Sequence, residues 1–442
     1  MSQYVVTKKL TIAELRVGMF VTRLEVPWSA TEFPLQGVLL TSQQDIDKVS
    51  RYGAYVFIDQ NKSIRSVERP IARSVAQLAT DDPSRKKPHP PRSWRKFCTQ
   101  LYQKKHSIAF EIDRARKLLS QFDETFKQLS LELTQITPKS VGAIYAVSHE
   151  IVASILDNPD ALLWLLKVRE SHGRVSDHTL RAAVWAVLLG RSLGIRQASL
   201  QAMCEALLLS GIGKSALSDK NWRDYQVGNI NEGFARWSAI TLLKLRQCRV
   251  DPQILTIIGN MNERYDGSGF PRQKSAQAIP YLSQIASLAE TFDLLLYPMP
   301  GDKKRLFSQA LARLYCFSDR LFDRELIEAF IQATGLYPAG CPVVLSNGYR
   351  GVVVEQSKER RLRATVAITH DPQNYRLLRY QVVQLGQRDF KDVLIRSEAP
   401  LNPLNSDDHR RINQLVAQYQ RNALRRVVGR ISHFFNASAA SI

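Results

Sequence analysis

The chain has 442 residues, of which 44% are hydrophobic and 23% charged, and its formal net charge is +20 at pH 7. This length allows two or three domains with cores of their own, and the composition excludes a disordered or fibrous chain. No apolar run reaches the roughly 18 residues of a spanning helix, and the N-terminus lacks the segments of a signal peptide, so we expect a cytoplasmic protein.

Residues 1–75 are predicted to form a small α+β domain. Helical stretches are expected near 12–15 and at 43–51, between apolar runs with strand character at 4–6, 19–21, 38–40 and 55–58. Residues 76–100 follow as a basic, proline-rich linker, because its prolines exclude helix and sheet alike.

The rest of the chain divides by the period of its apolar residues. Residues 101–336 follow the helical period almost throughout and predict an all-α bundle. Residues 337–400 switch to a period of two, and Asn347-Gly348 between apolar runs indicates a hairpin in a small β module. Residues 401–442 predict a basic amphipathic helix, which either docks through its apolar stripe or binds a membrane surface or partner. The predicted fold class is therefore mainly α.

A glycine-rich loop, Asp266-Gly267-Ser268-Gly269-Phe270-Pro271, follows a helix end inside the bundle. Its glycines allow positive φ, and backbone N–H groups in such a loop are able to face an anion. Arg264, Arg272 and Lys274 flank the loop and make it locally positive, which suits a phosphate or an acidic partner segment. A turn that ends one helix and directs the next explains the same residues, so both interpretations stay open.

Three blocks of the bundle resemble the HD-GYP family, which are metal-dependent phosphodiesterases that linearise cyclic di-GMP. The family has His-His-Glu-x-x-Asp-Gly-x-Gly-Tyr-Pro where this chain has Met261-Asn262-Glu263-Arg264-Tyr265 followed by the loop. Ser210-Gly211-Ile212-Gly213-Lys214 is similar to the family's His-Asp-Ile-Gly-Lys, and residues 285–295 are similar to its last metal-binding helix. Residues 14–37 resemble the small domain often fused ahead of such bundles. The resemblance implies an HD-type helical bundle.

Most ligand positions of the family's metal site have changed in this chain. His178 stands at the first ligand histidine, Ser210 and Gly211 at the His-Asp pair, Met261 and Asn262 at the paired histidines, and Glu290 at the last aspartate. A site with two or three metals needs several nitrogen and oxygen ligands at short, fixed distances, which one imidazole and one carboxylate do not supply. We therefore expect no catalytic residues, no bound metal such as the family's Fe or Mn, and no other cofactor.

Three details leave alternatives open. A weak Mg²⁺ site built from Asp177, Glu205 and Glu263 is one substitute for the lost ligands. His178 is either a hydrogen-bonded core histidine or a ligand. Lys214 either places a favourable charge at a helix C-terminus or contacts an anion.

These observations predict a catalytically inactive HD-GYP-like protein of bacterial cyclic di-GMP signalling. It is expected to bind the nucleotide, or a signalling protein such as a diguanylate cyclase, through Lys214, the loop and its basic neighbours. One alternative is an active cyclic di-GMP phosphodiesterase with an atypical metal site. Another is a basic nucleic-acid-binding module, for which the net charge of +20 is the only sign.

Overall fold

The structure is a computed structural model that divides into two compact units. One comprises residues 1–89 with the short pieces 227–229 and 315–317, and the other contains the remaining residues. The residues that the structure describes are 7–17, 19–25, 38–40, 43–59, 102–131, 136–168, 174–215, 217–226, 232–297, 305–356, 364–387, 390–399, 407–408 and 410–419.

The N-terminal unit is a small α+β domain, as the sequence predicts. Its antiparallel sheet has the strand order β1-β4-β2-β3, with β1 at Thr7–Thr11, β2 at Phe20–Arg23, β3 at Val38–Leu39 and β4 at Tyr55–Asp59. Helix α1 (Gln43–Ser50) buries Ile46 and Val49 against the sheet's apolar side chains. The strand predicted at residues 4–6 and the linker predicted at 76–100 lie outside the described residues.

The predicted helical bundle is confirmed. Its helices have these bounds: α2 Ile108–Leu131, α3 Pro138–Asp157, α4 Pro159–Val168, α5 Arg174–Ser192, α6 Gln197–Lys214, α7 Asp219–Gln226, α8 Glu232–Gln247, α9 Pro252–Ile258, α10 Tyr281–Leu296, α11 Phe307–Tyr315 and α12 Arg324–Thr334. Several helices begin where the sequence has a capping residue, since Thr137, Asp251 and Asp323 each accept a backbone N–H of the first turn. No helix in the described residues is long and apolar enough to cross a membrane.

Helices α5, α6 and α10 form the centre of the bundle. Trp185 of α5 packs edge-on against Phe292 of α10, with ring centroids 5.4 Å apart, and also contacts Phe307 and Phe330. Helix α6 is buried around its whole circumference from Ala202 to Lys214, where its sequence is predominantly apolar. These three helices give the side chains between them a rigid frame.

The predicted β module is a five-stranded antiparallel sheet with the order β8-β7-β6-β5-β9. Its strands are β5 Pro342–Leu345, β6 Arg350–Glu355, β7 Thr365–His370, β8 Arg376–Gln384 and β9 Ile395–Glu398. The hairpin predicted at Asn347-Gly348 joins β5 to β6, and Gly348 adopts the positive φ of +88° that favours glycine there.

The predicted C-terminal helix docks at its start. Residues 410–419 are helical, and Ile412 and Val416 of the apolar stripe are buried. Asn413 accepts a hydrogen bond of 2.8 Å from the indole Nε1 of Trp164 in α4. Residues 420–442 of this predicted helix lie outside the described residues.

Glu398 of β9 joins the β module to the bundle. Its carboxylate accepts hydrogen bonds from the backbone N–H groups of Phe307 (2.7 Å) and Ser308 (2.9 Å) and from the hydroxyl of Ser308 (3.0 Å). These amides open α11 and would have no partner within the helix, so the carboxylate acts as its N-terminal cap.

Replacing Glu398 with alanine is expected to lower the free energy of unfolding by about 1–3 kcal/mol, because two helix amides lose a charged acceptor. Urea unfolding measures this change. Glu124→Ala removes an exposed carboxylate of α2 and should change stability by less than about 0.5 kcal/mol. Equal effects of the two substitutions would contradict the capping role.

Candidate functional site

Helices α5, α6, α7 and α10 bring several of the predicted site residues together. His178 comes from α5, Lys214 from the end of α6 and Glu290 from α10, and all three are almost completely buried. Tyr225 and Trp222 of α7 cover the imidazole of His178, with ring centroids 6.4 Å and 5.5 Å from it. The family's metal position is therefore occupied by a closed group of side chains.

An ion pair between Lys214 and Glu290 lies at the centre of this group. The ammonium of Lys214, which is 1% exposed, contacts Glu290 Oε1, and the phenol of Tyr225 donates to Oε2 over 2.7 Å. Burial raises the pKa of Glu290, but the neighbouring Lys214 and His178 and the hydrogen bonds from Lys214 and Tyr225 outweigh it and hold the pKa below its ordinary value. Burial lowers the pKa of Lys214, and the carboxylate opposes that shift.

A second cluster fixes the orientation of His178. Its Nδ1 lies 2.9 Å from Asp293 Oδ2, and the guanidinium of Arg181 binds both oxygens of Asp293 at 2.8 and 3.1 Å. Burial raises the pKa of Asp293, yet Arg181 and His178 bring it below its ordinary value. Because the ionised carboxylate only accepts, Nδ1 of His178 carries the proton that it donates. Its Nε2, 3.9 Å from Glu290 Oε1, has no hydrogen-bond partner among the described residues.

The donor set does not fit a pair of Fe or Mn ions. Both oxygens of Glu290 and both of Asp293 are already bound by cationic or hydroxyl donors, which leaves Nε2 of His178 as a single available ligand in the cluster. Ser210 donates its hydroxyl to the carbonyl of Leu207 within α6. Metal sites of this kind need several ligands around each ion.

The helix packing at Gly211 leaves no room for a side chain. A Cβ placed on Gly211 would lie 2.2 Å from Oγ1 of Thr179 on α5. The remaining positions at which ligands are expected, Met261 and Asn262, are also buried. The position at which the resemblance implies an aspartate is therefore a point of close contact between two helices.

The alternative Mg²⁺ site of Asp177, Glu205 and Glu263 is wrong, because these carboxylates do not converge among the described residues. Glu263 instead accepts the backbone N–H groups of Arg272 and Lys274 at 2.8 and 2.9 Å, so both of its oxygens hold the loop. Glu205 accepts hydrogen bonds from Gln201 and Ser148.

One other group could supply metal ligands: His106, Glu111 and Asp157, whose ligand atoms lie within 4.8 Å of one another in the described part of the chain. Arg114 already approaches Asp157 to 3.2 Å and Glu111 to 3.8 Å, and Lys105 contacts Asp157 at 3.3 Å. Arg114 also lies 3.0 Å from Glu150, so the carboxylates of this group are part of an ion-pair network between α2 and α3.

Backbone amides of the glycine-rich loop that were expected to face an anion are already hydrogen-bonded within the protein. The N–H groups of Asp266, Gly267, Ser268 and Phe270 all bond to protein oxygens, as do those of Arg272 and Lys274. A Cβ on Gly269 would lie 2.2 Å from the backbone nitrogen of Arg264, so a side chain is excluded by close backbone packing. The expectation that free loop amides face an anion is wrong for these six groups.

Two cationic members of the predicted binding set point inward. Arg264 donates to Ser287 Oγ over 2.6 Å and lies over the ring of Phe322, and burial lowers the pKa of its guanidinium. Lys214 forms the ion pair with Glu290, which neither interpretation of this residue predicts. The outer face of the loop retains exposed Ser268 and Arg272 and half-buried Lys274.

The sequence prediction missed Asp293, Arg181 and Tyr225. A spacing of three residues places Arg181 on the same helix face as His178, and Asp293 on the same face as Glu290. The sequence therefore contained a signal that could have added Arg181 and Asp293 to the predicted site. Tyr225 lies on a short helix between α6 and α8, and nothing in its spacing indicates a site.

The comparisons with known proteins agree with this fold. A domain of unknown function, DUF3391, matches residues 7–139, and an HD domain matches residues 166–326. A cyclic di-GMP phosphodiesterase of Pseudomonas aeruginosa is 26% identical over 88% of this chain and 92% of its own length. The cyclic di-GMP phosphodiesterase response regulator RpfG of Xanthomonas campestris is 26% identical over 56% of this chain and 60% of its own length.

Among solved structures, an HDG"Y"P protein from Bdellovibrio bacteriovorus is 16% identical, with a TM-score of 0.41 over 73% of this chain and 98% of that one. The match over residues 166–326 identifies the helical bundle as an HD domain. The chain therefore carries an HD domain with a DUF3391 domain ahead of it. The predicted resemblance to HD-GYP proteins and to the small domain fused ahead of them is confirmed.

Breaking the buried ion pair from one side is expected to cost about 3–5 kcal/mol in the free energy of unfolding. Lys214→Met leaves an unpaired buried carboxylate, whereas Lys214→Met combined with Glu290→Gln restores much of the loss and keeps an acceptor for Tyr225. Urea unfolding of the double-mutant cycle measures the coupling. The exposed pair Arg116–Asp113, 3.0 Å apart, is the control and should couple by less than about 1 kcal/mol. Additive effects at Lys214 and Glu290 would contradict the pairing.

Gly211→Ala is expected to destabilise the protein by about 1–3 kcal/mol, because the added methyl group meets Thr179. Gly142→Ala on α3, where nothing lies within 4 Å of the new Cβ, should stabilise it by up to about 1 kcal/mol. Thr179→Ala combined with Gly211→Ala should recover part of the loss. Thermal unfolding distinguishes these outcomes, and equal melting temperatures for the two single variants would contradict the contact.

Proposed function

We propose that this chain is a non-hydrolysing HD-GYP-type protein that acts in cyclic di-GMP signalling by binding the nucleotide or a signalling protein. The observation that carries the proposal is the buried Lys214–Glu290 pair, in which an ammonium stands against the carboxylate at the family's last metal position. The relatives named above as cyclic di-GMP phosphodiesterases support the signalling system.

The chemistry of the donor set supports the absence of hydrolysis. Phosphodiester hydrolysis in this family depends on metal ions that lower the pKa of a bound water. Here the carboxylates of Glu290 and Asp293 are held by Lys214, Tyr225, Arg181 and His178. Nε2 of His178 is the base of this cluster that has no hydrogen-bond partner among the described residues, and one imidazole does not replace the metals.

The outer face of the glycine-rich loop is the binding surface that we assign. Glu263 holds the backbone at Arg272 and Lys274, so the loop is fixed before any ligand arrives. The side chains of Ser268, Arg272 and Lys274 are placed to bind a phosphate or an acidic segment of a partner. Lys214 and Arg264 contribute from inside, by maintaining the helices that carry the loop.

A working phosphodiesterase is the second candidate, because the relatives carry that activity in their names and Nε2 of His178 has no hydrogen-bond partner among the described residues. It requires Lys214 to leave Glu290 and several further ligands to be supplied by residues outside the cluster. The Lys214–Glu290 pair therefore disfavours it.

Calorimetric titration with cyclic di-GMP, with and without Mn²⁺, tests binding, and chromatography after long incubation with Mn²⁺, Fe²⁺ or Mg²⁺ tests hydrolysis. We expect no linear product under any of these conditions. Turnover that disappears in a His178→Ala variant would show a working metal site and contradict the proposal.

The double variant Arg272→Ala, Lys274→Ala should bind at least about tenfold more weakly, since a hydrogen bond to a charged group contributes about 1.5–3 kcal/mol. Lys127→Ala combined with Lys139→Ala removes the same charge from exposed sites on α2 and α3 and should bind as the wild type does. Where the wild type does not bind nucleotide, the same pair of variants is compared for binding to a diguanylate cyclase. Equal affinities of the two double variants would contradict the loop as the binding surface.

A further inference from the structure

The tip of the β7–β8 hairpin carries the two most exposed large apolar side chains among the described residues. Leu378 is 98% exposed and Tyr375 is 70% exposed. A single exposed leucine is common on protein surfaces, but here an aliphatic and an aromatic side chain project from one short segment.

The outward position of Leu378 is built into the backbone. Ile368 of β7 pairs with Gln381 of β8, and His370 pairs with Arg376, so two steps along β7 correspond to five along β8. The extra residues of β8 form a bulge that contains Leu378. Bulges of this kind redirect side chains out of a sheet.

The bulge is held firmly against the start of the C-terminal helix. Asp408, which is 4% exposed, accepts hydrogen bonds from Nη1 of Arg376 (2.5 Å) and from the phenol of Tyr380 (2.7 Å). The helix is itself docked on the bundle through Asn413 and Trp164. The exposed tip is therefore a preorganised feature of the fold.

Cationic side chains accompany the apolar tip. Arg379 and Arg411 are exposed, and neither lies within ion-pair distance of a carboxylate in the described part of the chain. Arg411 and Leu378 both line a cleft of about 440 Å³ between the bulge and the helix, and the two aspartates that line it, Asp407 and Asp408, are paired with Arg410 and Arg376. From residue 409 to the end, the sequence contains six arginines and no acidic residue.

We propose that this tip binds the anionic surface of a membrane, with Leu378 and Tyr375 inserted between lipids and the arginines at the headgroup phosphates. Aliphatic and tyrosine side chains together with arginine are the composition of interfacial membrane contacts. Leucine is under-represented at the energetic centres of protein interfaces. Two copies that docked tip against tip would bring the arginines of both tips together, and like charges in contact disfavour self-pairing.

Sedimentation of the full chain with vesicles tests the proposal. The wild type should sediment with phosphatidylcholine vesicles that contain phosphatidylglycerol, much less with phosphatidylcholine alone, and less as the salt concentration rises. Leu378→Ser should weaken this binding about tenfold or more, because burial of a leucine side chain is lost. Arg379→Glu should weaken it as well.

Two control variants make the same kinds of substitution on α8 and leave the tip unchanged. Leu243→Ser removes another leucine, 56% exposed, and Arg246→Glu makes the same change in net charge as Arg379→Glu. Both should bind vesicles nearly as the wild type does. All four variants should retain the wild-type melting temperature, since the changed side chains are exposed.

Three results would overturn the proposal. The wild type fails to bind either kind of vesicle, or Leu378→Ser binds as strongly as the wild type, or Arg379→Glu and Arg246→Glu weaken binding equally. Gel filtration at increasing protein concentration tests whether a second copy of the chain, and not a membrane, binds the tip. Self-association that Leu378→Ser abolishes, without vesicle binding by the wild type, would make the tip an interface between copies.

Discussion

The buried pair of Lys214 and Glu290 is the interaction on which the centre of the bundle depends. Two charges removed from water are costly unless each finds a close partner and further hydrogen bonds. Tyr225 supplies one such bond, and His178 lies beside the pair, held in place by Asp293 and Arg181. Four helices contribute to this network, so the packing of α5, α6, α7 and α10 and the electrostatics of the site are a single arrangement.

The fold follows from the sequence to a large extent because its signals are local. The helical period of residues 101–336, the strand-like runs at 19–21, 38–40 and 55–58 and the Asn347-Gly348 turn all predict elements that the structure contains. Apolar periodicity reports which face of an element is buried, and turn residues report where the chain reverses. Capping residues such as Thr137 and Asp251 mark helix starts in the same way.

The site could be predicted only in part, because its partners are distant in sequence. Lys214 and Glu290 are separated by 76 positions and His178 and Asp293 by 115, and no periodicity connects them. The resemblance singled out His178, Lys214 and Glu290, which the structure brings together, but it did not predict the ion pair between Lys214 and Glu290. It misplaced Arg264, whose charge suggested a surface position, because a buried guanidinium bonded to Ser287 and stacked on Phe322 leaves no trace in composition.

The contact between Gly211 and Thr179 limits how this bundle could gain metal ligands by mutation. An aspartate at position 211 would collide with Thr179, and a metal ion beside Glu290 would first have to displace Lys214. Either change alone would therefore lower the stability of the protein before a complete ligand set was present. A metal centre between these helices requires several substitutions to occur together.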